Sequence, residues 1–304
     1  MVVMTTSLTE SIKIGIIGGS GLGQKLGLEK GELRHVDTPF GTPSSPIVLT
    51  EWEGTPIALL QRHGPGHTHN PSAVPYRANI FALKVLGVTH ILASGATGSL
   101  RENIAPGDLV IVDQFIDKTC KRPNTFYDQA AVHVELADPV CPVMRSWLLA
   151  AAASLKHLTV HPSGTYVVME GPAFSTQAES HMHRQWGGDL IGMTAMPEAK
   201  LAREAEIAYA MIAMPTDYDC WRPHDSSVTA QALLAEIIGN LNKATENNIA
   251  LMKAALRDLS ILRQTPSPAH SALALAIWSD KSLIPADEVR RLAPLWGNYF
   301  PARA

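Results

Sequence analysis

Three observations predict an α/β protein built round a largely buried sheet. Short β-branched, apolar stretches recur along the chain, segments of helical periodicity separate them, and glycine-rich turns directly follow two of them. Residues 12–17 are apolar and β-branched, so they read as a buried strand, ending in Gly18-Gly19-Ser20-Gly21-Leu22-Gly23. Residues 72–86 carry a helical pattern with Gly87 at the C′ position. The next strand is 89–94, and Gly95-Ala96-Thr97-Gly98-Ser99 follows it. Residues 57–60, 109–115, 166–169 and 208–214 are further strands. Beyond Pro223, Leu233, Leu234, Ile237, Ile238 and Leu241 recur at helical spacing. They predict one or two long amphipathic helices over 229–262, with Thr229 or Ser227 as N-cap.

Composition narrows the class. Of 304 residues 46% are hydrophobic and 17% charged, against about 25% charged in an average soluble protein, which points to a large interior. The net charge of -3 comes from 25 basic and 28 acidic residues that are interspersed, so no electrostatic footprint for nucleic acid is expected. Cys120, Cys141 and Cys220 form no CxxC pair, which suits a reducing compartment. The first residues lack a basic n-region, and the apolar run 207–214 falls far short of the ~20 residues of a membrane span. A cytoplasmic protein with no membrane partner is expected. Thr265-Pro266-Ser267-Pro268 breaks the chain, dividing a domain over 1–264 from an extension over 265–304. The extension contains Trp278, Trp296, Tyr299 and Phe300, so it is expected to fold back onto the domain or onto a neighbouring subunit.

Three segments carry chemistry. The first glycine turn fails the dinucleotide pattern, because Gln24 stands where the third glycine is needed. What it retains is a loop whose N–H groups and Ser20 hydroxyl suit a small anion, or a purely structural turn. Arg62-His63-Gly64 follows a strand and supplies either a bidentate fork for phosphate or a surface ion pair. His63, His67 and His69 raise a zinc reading, but neither HExxH nor a cysteine ligand accompanies them, so no metal is expected. His181 and His183 read as ordinary helix-surface residues. Asp217 and Asp219, in Thr216-Asp217-Tyr218-Asp219-Cys220-Trp221, emerge after a strand, with Pro215 predicting departure from β geometry. They are either a ligand-reading pair or an acidic helix start.

Taken with Asp37-Thr38-Pro39-Phe40-Gly41, Gly98-Ser99-Leu100-Arg101, Asp113-Gln114-Phe115-Ile116-Asp117, Glu170-Gly171-Pro172-Ala173-Phe174-Ser175 and Met193-Thr194-Ala195-Met196-Pro197-Glu198, these blocks resemble the purine nucleoside phosphorylase family over about 13–257. The resemblance is to its methylthioadenosine-cleaving branch. It implies a single α/β domain with a twisted mixed sheet flanked by helices, a homotrimer, and no cofactor, with phosphate as co-substrate. It implies reversible phosphorolysis of 5′-methylthioadenosine to adenine and 5-methylthioribose 1-phosphate. The alternatives are a phosphorylase for 6-oxopurine nucleosides or methylthioinosine, and a non-catalytic nucleoside-binding module. Carried over, phosphate falls to Ser20, Arg62, His63, Gly95, Ala96 and Thr194. Met193 lies against the ribose, and Phe174 and Ser175 near the base. Asp217 protonates purine N7 and Asp219 accepts from the 6-amino group. Ala230, Leu233 and Leu234 flank the 5′ substituent, with His133 contributed by a neighbouring subunit. Gly95 replaces the Thr or Ser common in the family, and Pro215 an Ala; the first leaves only backbone donors at that position.

Overall fold

The computed structural model describes residues 12–19, 22, 25, 31–222 and 228–300. In chain order the first half comprises β1 (Ile14–Gly18), β2 (Glu32–Arg34), β3 (Ile47–Trp52), β4 (Thr55–Gln61), α1 (Tyr76–Val85), β5 (His90–Ser99), β6 (Leu109–Ile111), β7 (Gln114–Asp117) and α2 (Pro142–Ala153). There follow β8 (Val160–His161), β9 (Thr165–Val168), α3 (Gln177–Gln185), β10 (Leu190–Gly192), α4 (Ala195–Glu204), β11 (Ala208–Asp217), α5 (Ala230–Leu256), α6 (Ser260–Gln264), α7 (Ala286–Arg291) and α8 (Ala293–Trp296). The strands form one mixed sheet in the order β2-β3-β4-β1-β5-β10-β9-β7, with β11 joining β5 to β6 and β6 to β8. This is the expected α/β class.

β5 organises the molecule. Its first half pairs in parallel with β1, from Ile14 against His90 to Ile17 against Ala93. Its end pairs antiparallel with β10, through Ser99 and Gly98. The other edge is occupied by β11 along nearly its whole length. Among the described residues, 94–97 therefore have no strand on the β1/β10 edge, and their backbone opens onto a gap in the sheet. β5 and β11 are buried over most of their length, which is why both read as continuous apolar runs.

Several boundaries differ from expectation. The helix predicted from Ser72 starts at Tyr76, because Pro75 holds the N-cap position and 71–74 form turns. The strand predicted over 109–115 is two strands, β6 and β7, interrupted at Val112-Asp113. Pro215 does not end the preceding strand. β11 continues to Asp217, with a register shift between Pro215 and Asp217 that inserts an extra residue against β5. Thr229 caps α5 through its side chain, which accepts from Ala232 N–H. His183 is not a surface residue but 1% exposed, with Lys118 Nζ 2.9 Å from its Nε2.

Residues 265–300 pack onto the sheet domain. Ser267 Oγ lies 3.1 Å from Cys141 Sγ, buried Trp296 stacks on Tyr127 at 4.7 Å, and Tyr299 donates to Glu206 at 2.6 Å. Leu273, Ile284, Leu292 and Leu295 belong to the same apolar core as the central strands.

Candidate active site

A cavity of about 670 Å³ opens at the gap beside β5. Its walls come from the ends of β4, β5, β10 and β11, from the junction before α4, and from α5. Such strand ends are where open α/β sheets deliver ligand-binding groups.

One corner suits an anion. A Cβ added to Gly95 would stand 3.8 Å from Thr194 Oγ1 and 3.9 Å from Arg62 Nη1, so the backbone gap, the hydroxyl and the guanidinium converge there. Arg62 follows β4, is 1% exposed, and gives its Nε and Nη2 to Glu198 at 2.7 and 2.9 Å and its Nη1 to the Ser94 carbonyl at 2.8 Å. The bidentate edge that sequence reasoning offered to phosphate thus faces a carboxylate. Five N–H groups less these three leave two for another acceptor. Arg62 does form an ion pair, but a buried one. Burial opposes its charge, yet Glu198 outweighs that and raises the guanidinium pKa further. Glu198 also accepts from Tyr209 at 2.9 Å. His63 stacks on His67 at 4.2 Å, and its Nδ1–H donates to the His69 carbonyl at 2.8 Å, leaving Nε2 as the acceptor of the neutral ring. Burial pushes its pKa down to about 4. Among the described residues, no group of three or more His, Cys, Asp or Glu side chains is arranged to hold a metal ion.

The other end is acidic. The bulge in β11 carries Asp217 and Asp219 to the cavity wall. Asp217 Oδ1 accepts from Thr216 Oγ1 at 2.7 Å, and Oδ2 from Asp219 N–H at 2.9 Å. Asp219 has φ 51, in the left-handed region, and accepts from Ser180 Oγ. Burial raises its pKa, and the Ser180 bond opposes that rise. Gly98 makes this approach possible, since a Cβ there would lie 3.2 Å from Asp219 Cβ and 3.0 Å from Ile191.

The structure brings Arg62, His63, Gly95, Ala96, Phe174, Ser175, Met193, Thr194, Asp217 and Asp219 to this one cavity. Phe174 stands at its rim, 85% exposed. Ser20 lies outside the described residues. Ala230, Leu233, Leu234 and His133 do not line the cavity; Ile237 and Leu241, further along the same face of α5, do. His133 is exposed and packs edge-on against Trp278 at 4.8 Å.

Sequence reasoning missed Glu198, Ser180 and Arg122, none of which lines the cavity. Buried Arg122 donates to the carbonyls of Glu170, Met193 and Met196 and to the Glu170 carboxylate, fixing the junction that carries Met193 and Thr194. Each partner is distant in sequence, and no local pattern signals it.

The model of a family described as the phosphorylase superfamily matches residues 13–257. The chain belongs to this superfamily. A relative from Chloroflexus aurantiacus, named S-methyl-5′-thioadenosine phosphorylase, is 48% identical over 95% of this chain and 99% of its own. A methylthioadenosine phosphorylase structure sourced from an antarctic soil metagenomic library superposes with a TM-score of 0.85 at 46% identity, covering 94% of this chain and 99% of that one. A methylthioadenosine phosphorylase from Schistosoma mansoni, solved in complex with adenine, superposes with a TM-score of 0.78 at 36% identity over 88% of this chain and 99% of that one.

Proposed function

We propose that this protein catalyses reversible phosphorolysis of 5′-methylthioadenosine, releasing adenine and 5-methylthioribose 1-phosphate. The observation that carries the reading is one cavity holding an anion corner at one end and a carboxylate pair at the other. Cleaving an N-glycosidic bond builds positive charge on the sugar and negative charge on the departing purine. Phosphate held in the corner of Arg62, His63, Thr194, the Gly95-Ala96 backbone and Ser20 is both nucleophile and counter-charge to that sugar. Neutral His63 suits the protonated oxygen of hydrogen phosphate, since its Nε2 accepts. Asp217 delivers a proton to N7 as the base leaves, Asp219 accepts from the 6-amino group, and Phe174 and Ser175 flank the ring. Met193 lies against the ribose. No metal or organic cofactor enters the scheme.

Ile237 and Leu241 form an apolar wall for the 5′ methylthio group. Ala230, Leu233 and Leu234 extend it towards a neighbouring copy whose His133 completes the pocket in a cytoplasmic homotrimer. Residues 1–264 constitute the catalytic domain, and 265–304 an extension. Burying a methylthio group where a hydroxyl would lose water favours methylthioadenosine over adenosine by ~10–200-fold.

Free base (adenine from methylthioadenosine, hypoxanthine from inosine) measured with and without phosphate tests the reading. Release from methylthioadenosine only when phosphate is present, and little turnover of inosine, is expected. Inosine cleaved as readily as methylthioadenosine would overturn the base assignment, and no phosphate-dependent cleavage would overturn the activity.

A further inference from the structure

Ser180 lies outside the cavity, and nothing in the mechanism so far uses it. It is fully buried on α3, between exposed Glu179 and His181. A buried hydroxyl needs a partner, and this one donates to Asp219 Oδ2. Its position is fixed from both sides. Thr176 and Glu179 close a reciprocal capping box at the start of α3, and four residues beyond Ser180 the Arg184 guanidinium lies 3.5 Å over the Trp221 ring. Trp221 in turn donates to the Ser99 carbonyl at 2.8 Å. Ser180 and Arg184 therefore grip the turn that begins at Asp219 along one stripe of the helix.

We infer that Ser180 is a positioning residue that sets base specificity by holding Asp219 as a hydrogen-bond acceptor. The inference rests on the proposed contact between Asp219 and the purine 6-amino group. An ionised carboxylate only accepts, which matches an amino group at C6; a protonated one also donates, which matches the O6 of a 6-oxopurine. Burial drives Asp219 towards the protonated form, and the Ser180 hydroxyl counters it first, with the Cys220 backbone N–H second. The other titratable side chains around this turn do not replace Ser180. Asp217 accepts from the Asp219 backbone N–H, and the Cys220 thiol donates to the Ser175 carbonyl. Arg184 faces Trp221, Arg222 faces Tyr218, Glu179 caps its own helix, and His183 packs with Lys118.

The test compares kcat/KM for methylthioadenosine and methylthioinosine from pH 5 to 9 in the full-length Ser180→Ala, Ser180→Thr, Ser180→Cys and Asp219→Asn variants, with the phosphate KM measured alongside. Ser180→Ala is expected to narrow the preference for the 6-amino substrate about ten-fold and to move the acid limb up by about one pH unit, leaving the phosphate KM unchanged. Ser180→Thr keeps a hydroxyl and retains the preference; Ser180→Cys keeps the volume with a weak donor, narrows it, and serves if the alanine variant does not fold. Asp219→Asn, which can donate to O6, shifts preference towards methylthioinosine. An unchanged preference and pH profile in Ser180→Ala and Ser180→Cys, with Asp219→Asn still shifting it, would overturn this role while the base reading stands. An unchanged preference in Asp219→Asn would overturn the base reading itself.

Discussion

Arg62 lines the candidate site and is at the same time part of the buried interior, where it pairs with Glu198. Both are 1% exposed, and the pair is bidentate. Removing either partner strands the other charge in the interior, typically at about 3–5 kcal/mol. Arg62→Ala is therefore expected to lower the melting temperature as well as raise the phosphate KM about 10–100-fold, with nucleoside binding largely kept. Thermal unfolding and phosphate titration on the same sample check both halves. An unchanged phosphate KM in a destabilised protein would leave Arg62 a purely structural residue. Arg62 was legible in the sequence because it follows a strand beside a histidine. Glu198 was not, because what identifies it is a contact 136 residues away.

At the scale of elements, the site depends on how strands end. The apolar runs that became β1, β5 and β11 were legible because buried strands must be apolar on both faces. The gap beside residues 94–97 was not, since it arises from where β1 stops and β10 begins on the same edge. Pro215 marks where the strand leaves regular β geometry, though not where it ends. It has no N–H for the ladder, yet its carbonyl still accepts from Gly107 N–H at 2.8 Å, so the strand continues and a bulge re-aims the acidic pair. α3 holds the turn after that bulge and relies on its capping box. Thr176→Ala should cost about 1 kcal/mol of stability, read from denaturant midpoints. An unchanged midpoint would mean that tertiary contacts alone hold the start of α3.

At the scale of the whole molecule, one buried acid ties the 122–128 loop to α4 and makes stability pH-dependent. Glu204 accepts from Phe126 N–H at 2.8 Å, and burial raises its pKa to about 7 from an ordinary 4.5. The folded protein then binds a proton that the unfolded chain has released, so stability falls as pH rises from about 4.5 through about 7. Glu204→Gln keeps an acceptor for Phe126 and should flatten the melting temperature over that window; an unaltered slope would assign it to other groups. Tyr127, whose hydroxyl donates to the Glu204 carbonyl, stacks on Trp296, so the C-terminal segment leans on the same region. Its individual partners were not legible in the sequence, since each is set by a contact with a distant residue. In the proposed reaction the acceptor of the sugar is phosphate, held opposite a departing base. Phosphorus NMR of the reaction of methylthioadenosine with inorganic phosphate reads that directly. One new sugar-phosphate resonance growing in step with free adenine, and slowed ~10²-fold or more in Asp217→Asn, is the predicted result. Adenine accumulating with the phosphate signal unchanged would mean hydrolysis, not phosphorolysis.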